Sequence, residues 1–329
     1  MLEKEISLFV VFNLIVVALL AIDLGLLGRK GSHKISIRKA SIWSLIWISV
    51  SFLFAGFIFY YMKDPSQPGI HKEKAMEFIA GYLLEKSLSV DNLFVFIMIF
   101  QTFKISSEEQ PDVLKWGIIG AVILRAIMIF MGAALIKTFG MVLYIFGFFL
   151  IYTAIKMALH KEEEEFHPEN SKTIRFVSKL IPVSKSPHGG KFFLRENGKL
   201  YASTLFIVLV LVEVSDVMFA FDSIPAIFSV TKDPFIVYTS NIFAILGLRA
   251  LYFLVGGIMD LFIYLKTGVI VILAFVGIKM LLPLPGEFFN IPRYHIPIHV
   301  SLSIISLVLC IAIFASIPQY IRNKRSYLS

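Results

Sequence analysis

The sequence predicts an all-α, polytopic membrane protein of about nine transmembrane helices, with a 3+3 inverted repeat formed by spans three to five and six to eight. Three observations predict it: a composition too apolar for a soluble domain, nine apolar runs of spanning length, and motifs that recur in one order in two halves. Of 329 residues, 57% are hydrophobic and 16% charged, against roughly 45–50% and about 25% in soluble domains. Mean hydropathy is +0.81. The apolar runs fall at 6–27, 42–62, 78–103, 116–136, 140–159, 203–228, 235–257, 264–282 and 298–317. Each is close to the roughly 20 residues that carry a helix across about 30 Å of hydrocarbon. The first is too long for a signal peptide and lacks a small-residue cleavage site, so it is read as a span. The chain, 1–329, is then a single transmembrane domain, with a first repeat at 78–159, a cytoplasmic linker at 160–202 and a second repeat at 203–283.

Charge sets the orientation. The formal charge of +8 is not a nucleic-acid footprint, because the basic residues lie mostly in loops, where they act as topology signals. Arg29, Lys30, Lys34, Arg38 and Lys39 follow the first span. The linker holds Lys161, Lys172, Arg175, Lys179, Lys185, Lys191, Arg195 and Lys199, and the tail Arg322, Lys324 and Arg325. Nine spans put all three segments on one side, the cytoplasmic one, with the N-terminus outside. Glu162 to Glu165 open the linker and read as a solvated charge run. His188 and the two glycines after it read as a turn. Cys310, the single cysteine, lies in an apolar run and reads as a small hydrophobe.

The repeat rests on three matches in register. Glu85-x5-Asp91-Asn92 in span three corresponds to Asp216-x5-Asp222-Ser223 in span six. Leu124-Arg125-Ala126 in span four corresponds to Leu248-Arg249-Ala250 in span seven. Ile155-Lys156-Met157 in span five corresponds to Ile278-Lys279-Met280 in span eight. The offsets are 131, 124 and 123 residues. Three spans are an odd number, so the two copies enter the bilayer from opposite sides, an arrangement common in secondary transporters.

Asp23, Glu85, Asp91, Glu213, Asp216 and Asp222 lie within spans. An ionisable group at a helix centre costs about 2.5–3.5 kcal/mol on insertion scales. Six carboxylates would cost on the order of 15–20 kcal/mol, comparable to the whole stability of a typical fold. They must be paired, protonated, hydrated or bound to a cation. Arg125 and Arg249 are expected to balance two of them. Lys86 can claim one more, and Lys156 and Lys279 can snorkel from span ends. The remaining acids outnumber the bases, which points to a cation site. Glu213, Asp216 and Ser223 share a helix face, as do Glu85, Ser89 and Asn92. Asp91 and Asp222 fall ~120° away in a continuous helix, so a break is expected near Pro225, which frees the carbonyl of Phe221. Asn241 is a further polar group in span seven. The acidic motifs hold carboxylate, amide, hydroxyl and carbonyl oxygens and no Cys or His. Such a set suits magnesium, calcium or manganese.

At these residues the chain resembles the TerC family of integral membrane proteins, named for tellurium resistance. The matching segments are Glu85-Lys-Ser-Leu-Ser-Val-Asp91-Asn92 and Glu213-Val-Ser-Asp216-Val-Met-Phe-Ala-Phe-Asp222-Ser-Ile-Pro225-Ala. Asp23-Leu24-Gly25, His188-Gly-Gly-Lys-Phe-Phe193 and the two Leu-Arg-Ala triplets support them. Where the family usually has Ala-Thr-Pro entering span six, this chain has Ala202-Ser203-Thr204. The resemblance implies a LysE-like exporter of a bacterial inner membrane, associated with manganese efflux. It implies Glu85, Asp91, Asn92, Asp216, Asp222 and Ser223 as metal contacts, with Asp23 and Glu213 secondary. Manganese(II) would be cargo; no cofactor and no enzymatic activity is expected, since no nucleophile–base pair, nucleotide loop or zinc motif stands out. The expected partners are a divalent cation and the lipid bilayer, and no motif encodes an oligomeric state. Two other functions fit the class: a non-transporting membrane partner in a metal or tellurium stress response, or an exporter of a small amino acid.

Overall fold

A computed structural model describes residues 2–27, 36–62, 67, 69–159, 181–184, 190–196, 198–257, 264–284 and 296–326. Among the described residues the chain forms ten helices and one β-hairpin. In chain order these are α1 (Leu2–Leu27), α2 (Ile37–Tyr61), α3 (Ile70–Thr102), α4 (Gln110–Thr138), α5 (Val142–Leu159), the strands β1 (Phe193–Glu196) and β2 (Lys199–Ala202), α6 (Thr204–Phe228), α7 (Pro234–Ile245), α8 (Leu248–Gly257), α9 (Leu265–Leu281) and α10 (Ile298–Ser326). Every apolar run is helical, and the seventh is split into α7 and α8. Helices α2, α4, α5, α6 and Ile298–Ser316 of α10 are long and apolar enough to cross a membrane, and α7 with α8, bent by 47°, adds a sixth if the pair is one span. Helix α1 contributes the shorter apolar stretch Leu8–Asp23, α9 has 17 residues, and the charged α3 has 33.

The outer faces of these helices carry large apolar side chains with no protein over them, among them Leu53, Ile123, Met131, Ile145, Phe148 and Phe314. Such a continuous apolar surface is stable only against lipid, so the chain is a multi-pass integral membrane protein. Helix α3 runs through the interior and packs against α2, α6, α7, α8 and α10, while α4 packs on α6 and α7 and α5 on α9. At the α5–α9 contact a Cβ on Gly277 would lie 2.8 Å from the carbonyl oxygen of Gly147, so glycine there lets the two backbones touch. Rings of Phe12, Phe54, Phe78 and Phe243 tie α1, α2, α3 and α7 together, Phe54 and Phe243 with centroids 4.6 Å apart.

Local chemistry sets the helix ends. Ser203 caps α6, its hydroxyl accepting from the Phe206 amide at 3.4 Å, so the helix starts without a proline. Asp233 caps α7, accepting from the Phe235 amide at 3.0 Å, and Pro234 fills the first helical position, where a missing N–H costs nothing. The break expected near Pro225 is absent: α6 continues through it to Phe228. The interruption falls instead at Leu246–Gly247, where Gly247 has φ +77°, a conformation that favours glycine.

The linker departs from an all-α reading. Its β1–β2 hairpin pairs Phe193 with Ala202 and Glu196 with Lys199, and Phe193 packs on Phe206 of α6, ring centroids 4.7 Å apart. Glu162 to Glu165 and His188 lie outside the described residues.

Candidate functional site

Glu85 on α3 and Asp216 on α6, 131 residues apart, meet at one buried point, and the group that joins them is the guanidinium of Arg125 on α4. Its Nε donates to Asp216 Oδ2 at 3.0 Å and its Nη2 to Oδ1 at 2.7 Å. This two-pronged geometry is what a planar guanidinium offers a carboxylate. Nη1 donates to Asn241 Oδ1 of α7 at 3.0 Å and pairs with Glu85 Oε1. Asn241 closes the ring, donating through Nδ2 to Glu85 Oε2 at 3.3 Å. Arg125, Glu85, Asp216 and Asn241 are 1%, 0%, 4% and 0% exposed, so four helices are joined through a charged group that water does not reach.

Glu213 lies one turn before Asp216 and leans on α4 at Gly120, where its carboxylate occupies the place a Cβ would take. Its Oε2 is buried and makes no hydrogen bond among the described residues. Seven residues beyond Glu85 and Asp216, on the same helix faces, Asn92 Nδ2 and Ser223 Oγ are buried and likewise without a partner among the described residues. The polar stripes of α3 and α6 therefore have bonding capacity left over. With Glu213 counted, three carboxyl groups have one guanidinium among them, which can balance only one of them.

Other expected site residues lie apart. Because α6 is unbroken, Asp222 faces α5, where its Oδ1 accepts from Thr153 Oγ1 at 3.0 Å, and the charge of Lys156 reaches it. Asp91 lies on α3, and its side chain is outside the described residues. Asp23 belongs to a second buried ionic group. Its Oδ1 accepts from Trp47 Nε1 of α2 at 3.0 Å, and the charges of Lys86 and Arg249 fall on it. Lys86 does not pair with Glu85, its neighbour in sequence. Its Nζ donates to the carbonyl of Ala244 at 3.1 Å, in the last turn of α7, where a cation also answers the helix dipole. Arg249 sits just past the break, and Asp112 is a second acid whose charge it feels. Trp47 lies on Gly247, where a Cβ would come within 2.7 Å of the Cβ of Trp47.

Asn241, read from sequence as a secondary group, sits at the centre, and Trp47, Gly120, Thr153 and Gly247 were not singled out. A glycine within an apolar run was the available signal for Gly247 and Gly120. Nothing in sequence marks Trp47 or Thr153 as carboxylate partners. At one end of α3 a further network also escapes a sequence reading. There Glu77 Oε2 accepts from Thr231 at 2.7 Å and from Lys74 at 2.9 Å, and Lys74 lies 3.2 Å from Asp233. Burial opposes the charge on Lys74, but Asp233 and Glu77 outweigh it and raise its pKa. Among the described residues no three Asp, Glu, His or Cys side chains are gathered as a metal would need them in this arrangement.

Comparison with known proteins fits this picture. The sequence profile of the family described as "Integral membrane protein TerC family" matches residues 70–326. The chain is similar to a protein of Photorhabdus laumondii named "Putative membrane-bound redox modulator Alx", 46% identical over 307 residues, covering 93% of each chain. A protein of the same name from Escherichia coli is 47% identical over 294 residues, 89% of each chain. An "Uncharacterized membrane protein" of Myxococcus xanthus is 44% identical over 306 residues, covering 93% of this chain and 90% of the relative. No solved structure matches the chain.

Proposed function

We propose that this chain, which belongs to the TerC family of integral membrane proteins, exports a divalent cation, manganese(II) by preference, through a carboxylate site between α3 and α6. One observation carries this: Glu85 and Asp216, at corresponding positions of the two halves, converge beside Glu213 on a single guanidinium, which can balance only one of the three carboxyl groups. Oxygen donors in this number favour a hard dication. The unpartnered hydroxyl of Ser223 offers a further oxygen along the α6 stripe.

Alternating access would come from the inverted repeat in a nine-span bundle, with α1, α3 and α9 spanning beside the more apolar helices. The packing of counterpart helices supports it: α3 lies on α6, α4 on α7 and α8, and α5 on α9, as a pseudo-two-fold axis in the membrane plane demands. The bacterial relatives and the basic loops support an inner-membrane location with the N-terminus outside and the C-terminus in the cytoplasm. Carboxylates that release the dication would take up protons, coupling efflux to proton entry.

The experiment is export from proteoliposomes holding the full chain, with manganese, magnesium, calcium and zinc compared. Manganese is expected to move fastest, and Glu85→Gln and Asp216→Asn each to lower its rate at least tenfold. Equal transport by wild type and both variants would end the proposal. The name of the relatives supports a second function, that of a membrane partner in redox or metal stress. With Cys310 as its single cysteine, this chain would need a partner to supply a second thiol. Shortening the 160–202 linker separates the two: an exporter keeps its transport rate, whereas a docking protein loses its partner.

A further inference from the structure

We infer that Arg125 is a tethered surrogate for the transported cation: it fills the Glu85–Asp216 site when no dication is bound and must leave before one can bind. This rests on the exporter reading above and deepens it by naming what competes for the site.

Four contacts carry the inference. Both prongs of the guanidinium are committed to Asp216, and the remaining nitrogen is shared by Glu85 and Asn241. Each acidic oxygen that a dication would use at this point already faces Arg125 or Asn241. Yet the hydroxyl and amide further along the same stripes, at Ser223 and Asn92, have no partner among the described residues. A purely structural ion pair would have its polar surroundings closed as well. Here the anionic end of the site is filled by a cation of the protein, while Ser223 Oγ and Asn92 Nδ2 have no partner among the described residues.

A reason for such a surrogate follows from the transport cycle. A carrier that has released its cargo must return through the bilayer with its site empty. Buried carboxylates without a counter-charge oppose that step, because charge in hydrocarbon is strongly disfavoured. A guanidinium on a neighbouring helix supplies the missing charge without leaving the protein. Its single charge is replaced by two when the cargo binds, and Glu213, a turn away and without a hydrogen bond on Oε2, takes up the difference. Asn241 serves both states, since its side-chain oxygen accepts from Arg125 and an amide oxygen can equally face a metal ion.

The test compares two fluxes in proteoliposomes of the full chain loaded with radioactive manganese(II). Net export requires the empty carrier to return, whereas exchange against external manganese does not. In Arg125→Gln, net export is expected to fall at least tenfold while exchange falls much less, so that the ratio of exchange to net export rises at least tenfold. Manganese should bind the variant at least tenfold tighter than wild type and should raise its Tm by more. Loss of both fluxes in proportion, or unchanged manganese affinity, overturns the inference and leaves Arg125 a structural clamp. Should Arg125→Gln not be recovered folded even with manganese, Arg125→Lys carries the test. It keeps the charge but cannot form the two-pronged grip, so manganese should bind at least threefold tighter with net export preserved, and equal affinity overturns the inference. Wild type that shows neither flux would instead end the exporter proposal.

Discussion

The two buried ionic groups of this protein differ in charge balance and in anchoring. Around Arg125, Glu85, Asp216 and Glu213 outnumber the one guanidinium. Around Asp23, the charges of Lys86 and Arg249 fall on one carboxylate, and Asp112 is a second acid whose charge Arg249 feels. The second group is also anchored to backbone: Lys86 holds the Ala244 carbonyl and Trp47 covers Gly247, so its cations are part of the hinge between α7 and α8. The first group joins helices only through side chains. An acid-rich group held by side chains alone can receive a cation, whereas cations fixed to a helix break hold the break in place.

The comparison breaks most readily at the two arginines, each the centre of a Leu-Arg-Ala triplet. Arg125→Ala strands two buried carboxylates, and breaking a buried pair from one side costs about 3–5 kcal/mol. Arg249→Ala leaves Asp23 with Lys86 and Trp47, so a loss of about 1.5–3 kcal/mol is expected, the range for hydrogen bonds to charged groups. Denaturation of both variants in manganese-free detergent measures the difference. Equal losses would mean that the two groups are energetically alike and that the imbalance of charge decides nothing.

Much of this contrast was written in the sequence, but not its pairings. Nine apolar runs gave helices where they lie, because length and hydropathy are local properties. The acidic stripes were legible from helical spacing, and so was the need for counter-charge from Arg125. The choice between neighbours was not legible. Lys86 follows Glu85 directly, yet a helix turns it ~100° away, toward a carbonyl 158 residues distant. Pro225 looked like the breaker of a span. Yet α6 takes it in without interruption, and the real break depends on Gly247, whose left-handed backbone fits beneath Trp47. Proline removes one hydrogen bond, which the membrane fold absorbs here. A packed indole against a bare Cα is a tertiary fact that no window of sequence contains.

The hinge yields the next expectation. Gly247→Ala adds a Cβ at φ +77° and against the Cβ of Trp47, which cannot rotate away as a side-chain tip would. Strain of this kind costs about 1–3 kcal/mol, and the Tm in detergent should drop accordingly while manganese affinity changes less than in Asp216→Asn. Asp23→Asn should cost about 1.5–3 kcal/mol, since an amide oxygen still accepts from Trp47 but Lys86 and Arg249 lose the charge they face. Glu213→Gln is the matching change in the acidic group. It should lower manganese affinity severalfold more than Asp23→Asn does, and the reverse order would exchange the roles assigned to the two groups.

The mildest change is also the most specific to the acidic group. Gly120→Ala alters no charge, and the three atoms nearest the added Cβ all belong to the Glu213 carboxylate, the far end of a flexible side chain. The carboxylate can swing aside, so stability should fall by less than about 1 kcal/mol, as for a substitution that removes neither packing nor a hydrogen bond. If Glu213 supplies the charge that makes the site fit a dication, displacing it should weaken manganese binding roughly two- to fivefold, since a displaced charge is felt less at the site. Calorimetry on the purified protein reads both quantities. A variant that binds manganese as wild type does would remove Glu213 from the site and leave Glu85 and Asp216 balanced to within one charge by Arg125.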